Sequence, residues 1–69
     1  MALTVWRLTD PGGIETWCVL APHENGSCEL RLEQRRDVVH AEVHQTLDAG
    51  WRRADALWIE CQLDGWTEL

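Results

Sequence analysis

Sixty-nine residues, 45% hydrophobic and 26% charged, describe one folded domain spanning 1-69, with no room for a second core or a linker. A net charge of −6, with every basic residue an arginine, argues against a general nucleic-acid binder and against a protein drawn to anionic membranes. Cys18, Cys28 and Cys61 form an odd set without framework spacing, which suits a reducing, cytoplasmic setting better than a disulfide scaffold.

The start, MALTVWRLTD, has no basic segment leading into a long apolar run, so no signal peptide is expected. No stretch approaches the roughly 20 apolar residues that a membrane span needs. Leu3 to Thr9 is predicted as the first strand. Asp10-Pro11-Gly12-Gly13 then supplies turn chemistry, proline presetting φ and the glycines accepting positive φ. Glu15 to Ala21 follows as the second strand and completes a hairpin. Pro22-His23-Glu24-Asn25-Gly26-Ser27 is the next break, carried by its Asn-Gly pair.

The third and fourth strands are predicted at Cys28 to Glu33 and Val38 to His44. Closing a hairpin around Gln34-Arg35-Arg36-Asp37 pairs Leu32 with Val39, Leu30 with Ala41 and Cys28 with Val43. That register gathers the apolar residues of both strands on one face. It leaves His40, Glu42 and His44 on a polar face opposite Arg31, Glu29 and Ser27.

Thr46 is a helix N-cap by its hydroxyl and position. From Leu47 the apolar residues recur at Leu47, Trp51, Ala54, Trp58 and Cys61, with Leu57 beside them, one face of a helix of about 17 residues. Asp48 and Arg52 form an i,i+4 pair on the other face. Gly50 weakens the helix near its start, and its lack of a side chain allows close approach to a sheet. Gly65 closes the helix as a left-handed cap.

The expected fold is α+β: a four-stranded antiparallel β-meander with one C-terminal α-helix packed on one face, ββββα. One helix covers one side of a sheet only. The first hairpin carries apolar residues in both phases, Val5, Trp17 and Val19 in one, and Trp6, Leu8, Cys18 and Leu20 in the other. Five tryptophans and no other aromatic residue also exceed what so small a core encloses. Together these features predict an apolar patch opposite the helix, used as an interface and drawn from Trp6, Leu8, Trp17 and Leu20.

Chemistry is weighed against this background. His40, Glu42 and His44 suggest a metal site, but residues i and i+4 of a strand are about 13 Å apart, so no metal is expected. Cys18, His23 and Cys28 lack zinc-knuckle spacing and read as core and loop residues. No nucleophile, base and orienting group are brought together by any motif, and no glycine-rich phosphate loop is present. The doublets Arg35-Arg36 and Arg52-Arg53, with tryptophan near, give a weak signal for single-stranded nucleic acid. The strand-rich first half, followed by Thr46 to Ala56, is loosely similar to the small partial ribonuclease-H-like antitoxin domains. The apolar-proline segment usual in that group is missing, and no residue role carries over.

The reading is therefore a small non-catalytic binding protein, neither an enzyme nor a cofactor carrier, that self-associates as a homodimer through the sheet face the helix leaves uncovered. The alternative is an acidic inhibitor that blocks a basic, nucleic-acid-handling partner, as an antitoxin, an immunity protein or a phage anti-defence protein does, with a bacterial or phage source. No small-molecule substrate and no membrane partner are inferred.

Overall fold

A computed structural model describes residues 1–68. Its order is β1 (Leu3–Thr9), β2 (Glu15–Pro22), β3 (Cys28–Gln34), β4 (Asp37–His44), α1 (Leu47–Leu63) and β5 (Thr67–Glu68). The strands form one antiparallel sheet in the order β4-β3-β2-β1-β5, and α1 lies across β2, β3 and β4. The ββββα architecture is as the sequence pattern predicts, with a short fifth strand added where the chain leaves the helix and pairs with β1. No described helix is long and apolar enough to cross a membrane.

Two hairpins share one turn design. Asp10 N–H donates to Ile14 O, and Gly13 N–H to Asp10 O, with Gly13 at φ 86°. His23 N–H donates to Ser27 O, and Gly26 N–H to His23 O, with Gly26 at φ 90°. In both, glycine takes the left-handed position that closes a three-residue loop. The third hairpin is different. It turns on Arg35 and Arg36, both at positive φ (51° and 72°), the two-residue geometry for which Asn-Gly is the usual choice.

That tight turn starts β4 in the expected register, Gln34 opposite Asp37 and Glu33 opposite Val38. The register then slips. Leu32 pairs with His40, Leu30 with Glu42 and Cys28 with His44, leaving Val39 as the extra residue of a β-bulge. Because side chains alternate with period two, one inserted residue exchanges the two faces of everything beyond it. The pairing of Leu32, Leu30 and Cys28 with Val39, Ala41 and Val43 is thereby overturned. His40, Glu42 and His44 come to the helix side, and Ala41 and Val43 go to the other. A second bulge, at Val5 in β1, brings Val5 and Trp6 both against the core.

The core forms beneath the helix. Cys18, Leu20, Cys28 and Leu30 are fully buried and cluster with Ala54 and Leu57 of α1, while Leu8 and Cys61 are buried as well. Each enclosed leucine is worth roughly 1.5–3 kcal/mol. The buried helix stripe is Gly50, Ala54, Leu57 and Cys61, so Trp51 and Trp58 are turned to its flank. A Cβ built on Gly50 would overlap Cys28 Sγ and lie 3.2 Å from Leu20 Cδ2, so the absent side chain sets how closely helix and sheet approach. Trp6 ties β1 to the helix by donating its indole N–H to Ala54 O at 2.8 Å.

The helix ends match the sequence reading. Thr46 Oγ1 accepts from Ala49 N–H at 3.1 Å. Beyond Asp64, Gly65 stands at φ 94° while Trp66 N–H donates to Cys61 O and Gly65 N–H to Gln62 O, the paired bonds of a glycine-terminated helix.

Candidate functional site

The side of the sheet away from the helix is built from Arg7 of β1, Trp17 and Val19 of β2, Glu29, Arg31 and Glu33 of β3, and Ala41 and Val43 of β4. Its centre is polar. Arg31 donates through Nη1 to Glu29 Oε1 and through Nε to Glu33 Oε2, both at 3.0 Å, forming a ladder along β3. The hydrogen bond to Glu29 foremost, with that to Glu33, raises the pKa of Arg31 against the opposing effect of desolvation. Apolar surface flanks the ladder. On one side stands Trp17, 40% exposed, with the Arg7 guanidinium 5.5 Å from its ring centroid. On the other is the edge strand β4, where Val38, Val39 and Val43 are 53–66% exposed.

Of the four interface candidates, Trp17 alone lies on this side. Leu8 and Leu20 are fully enclosed in the core, and Trp6 is half-buried and bonded to the helix backbone. The phase Trp6, Leu8, Cys18, Leu20 thus faces α1. Val39 and Val43, expected on one apolar face with Leu30 and Leu32, stand exposed instead.

A concavity of about 540 Å³ opens at the turn end of the sheet, lined by Gly13, Ile14, Glu15, Trp17, Glu33, Arg35 and Arg36. Its two turns are tied together. Gln34 Nε2 donates to Thr16 Oγ1 at 2.8 Å and to Asp10 Oδ2 at 3.1 Å, while Asp10 Oδ1 accepts from Ile14 N–H. Thr16 is fully buried, so this bond satisfies a hydroxyl with no access to water.

On the helix side of β4, Glu42 gathers three donors. His40 Nε2 and His44 Nε2 each approach a different carboxylate oxygen at 2.7 Å, and Arg53 Nε donates to Oε1 at 2.9 Å. Desolvation pushes the Glu42 carboxyl up, but the hydrogen bonds from His40, His44 and Arg53 outweigh it and hold the group down at about 2. The expectation that these three side chains form a solvent face apart from the helix is corrected by the bulge. They bridge the edge strand to α1 instead. Among the described residues, no three His, Cys, Asp or Glu side chains are grouped to hold a metal ion.

The cysteines are buried. Burial is the main reason the Cys18 thiol is pushed up to about 12, and burial likewise raises Cys61, so neither offers a thiolate near neutral pH. A shallower groove on the helix flank is lined by Val5, Trp6, Trp51, Asp55 and Trp58.

Comparison with protein families, with curated proteins and with solved structures finds no match for this chain, and the loose likeness to the antitoxin domains gains no support from them.

Proposed function

We propose that this chain is a small, non-catalytic, cytoplasmic binding protein that self-associates through the uncovered side of its sheet, with the β4 margin as the contact. One observation carries the reading: an eight-residue edge strand whose valines 38, 39 and 43 stand more than half exposed. An edge strand offers unpaired backbone donors and acceptors, and proteins ordinarily blunt such edges with charge or cover them. Antiparallel pairing of two copies about Ala41 would set Val39 beside Val43 on the uncovered side and His40 beside Glu42 on the helix side. Each contact joins like with like or a donor with an acceptor. A small domain also gains buried area by association. Three buried, unpaired thiols support the reducing compartment.

The test is solution mass by light scattering at low and high protein concentration and at two salt levels. The expected result is a dimer that persists in high salt and becomes monomeric in Val43→Lys. A monomer at every concentration overturns the reading. Exposed Asp48, Asp55, Glu60 and Asp64 on the helix favour the second reading, an acidic inhibitor of a basic partner. That inhibitor would lose association rate as salt is raised, which the apolar dimer would not.

A further inference from the structure

The twelve acidic residues outnumber the six arginines two to one, so each arginine has carboxylates to choose from. Arg7, Arg31, Arg52 and Arg53 all make ion pairs. Arg35 and Arg36 make none among the described residues. Among the described residues they are also the two non-glycine residues with positive φ, a backbone region that costs an ordinary L-residue roughly 1–2 kcal/mol. Two unpaired guanidinium groups are thus held at a hairpin tip by a backbone that arginine does not favour. Strain of this kind is maintained where the surrounding structure fixes it, and it gathers at binding sites.

The tip forms one wall of the 540 Å³ concavity. The other contributions complement it. Trp17, 40% exposed, contributes an indole to the lining, and Arg7, which is not part of the lining, sits over that ring with its guanidinium 5.5 Å from the centroid. Ile14 adds an apolar floor from the opposite turn. Of the two carboxylates in the lining, Glu33 is bonded to Arg31 at 3.0 Å, and Glu15 lies 3.9 Å from Arg7. The Gln34 bonds to Asp10 and Thr16 fix the two turns relative to each other. An aromatic face beside paired guanidinium groups suits a planar ring that carries an anion: the ring stacks on Trp17 and the anion bonds to the arginines.

We infer that the turn end of the sheet binds a nucleotide, its base stacked on Trp17 and its phosphate held by Arg35 and Arg36. The net charge of −6 repels a long polyanion, so the ligand is a single nucleotide rather than an extended strand. This goes beyond self-association and uses the end of the face remote from Val43.

The test follows the Trp17 indole N–H and the Ile14 amide by two-dimensional NMR as adenosine monophosphate is added. The useful variant is Arg35→Asn with Arg36→Gly, which removes both charges while supplying the residues that the turn prefers. Saturable shifts at both signals are expected in the wild-type protein, and the variant should bind at least about tenfold more weakly with its fold and mass unchanged. Adenosine without phosphate and ribose 5-phosphate without a base should each bind more weakly than the nucleotide. Absence of saturable shifts up to about 10 mM nucleotide, or equal binding by the variant, overturns the site. Tighter binding by a short single-stranded oligonucleotide overturns the assignment to a free nucleotide. The nucleotide shifts should survive Val43→Lys, so failure of this site and failure of the dimer are read separately.

Discussion

On the helix side of the sheet, Leu8, Leu20 and Leu30 have no exposed surface, and Gly50 lets the helix rest directly on Cys28 and Leu20. On the other side, the centre is the Glu29–Arg31–Glu33 ladder, and the apolar residues lie at its flanks in Trp17 and the β4 valines. The two sides are built by the same alternation along the same strands. They differ in which residues a single helix can shelter. Where it reaches β2 and β3, the chain excludes water with leucine and cysteine. At β4 it answers with Glu42, whose carboxylate connects two histidines of the strand to Arg53 of the helix. The burial that stabilises the fold is therefore concentrated on the side that the single helix shelters.

The largest contrast should come from truncation. Leu20→Ala is expected to cost about 3 kcal/mol, whereas Val43→Ala in the monomeric state should stay within about 0.5 kcal/mol. Urea unfolding at low protein concentration measures both, and similar costs would erase the distinction between the sides. Next comes Gly50→Ala. Helix propensity alone favours alanine by about 1 kcal/mol, yet the clash with Cys28 Sγ should leave a net loss of about 1–2 kcal/mol. Adding Cys28→Ala makes room for the new methyl group, so the double variant should show a coupling of opposite sign.

Glu42 sets the acid limit of the edge. Its pKa is depressed from the ordinary 4.5 to about 2, so its contribution is complete above pH 4.5 and is lost as pH falls towards 2. With the side chain 22% exposed, the amount is on the order of 2 kcal/mol after solvent screening. Glu42→Gln should lower stability at neutral pH and flatten the stability profile across that window, as followed by thermal unfolding at stepped pH. The smallest expected effect is a gain. Arg35→Asn with Arg36→Gly should raise the urea midpoint by the equivalent of about 1 kcal/mol with an unchanged slope. A loss instead would mean that the arginines contribute contacts that outweigh their backbone strain.

Much of the fold was legible in particular residues. Gly13 and Gly26 sit at the turn positions their chemistry indicates, Thr46 and Gly65 bound the helix, and Asp48 pairs with Arg52 at 3.0 Å. The candidate site was less legible. Trp17 belongs to the expected pool, but Leu8 and Leu20 lie in the core, and Val39 and Val43, expected on the face of Leu30 and Leu32, stand exposed. The inversion of β4 has a visible signal. The two bulges fall where two apolar residues stand side by side and break the alternation, at Val5-Trp6 and at Val38-Val39. A change of phase within a strand marks an inserted residue, and reading it would have moved Val43 outward and Glu42 inward.

The number and order of the main elements, their turns and their caps follow from local backbone preference and short-period patterning, both of which are written in the chain. Which phase of the first hairpin the helix covers, and which side chains meet around Glu42 and beside Trp17, is settled by packing in three dimensions. Those outcomes depend on contacts between residues far apart in the chain, such as Trp6 with Ala54 and Gln34 with Asp10. A single inserted residue is a local event of small cost, yet it inverts a whole strand.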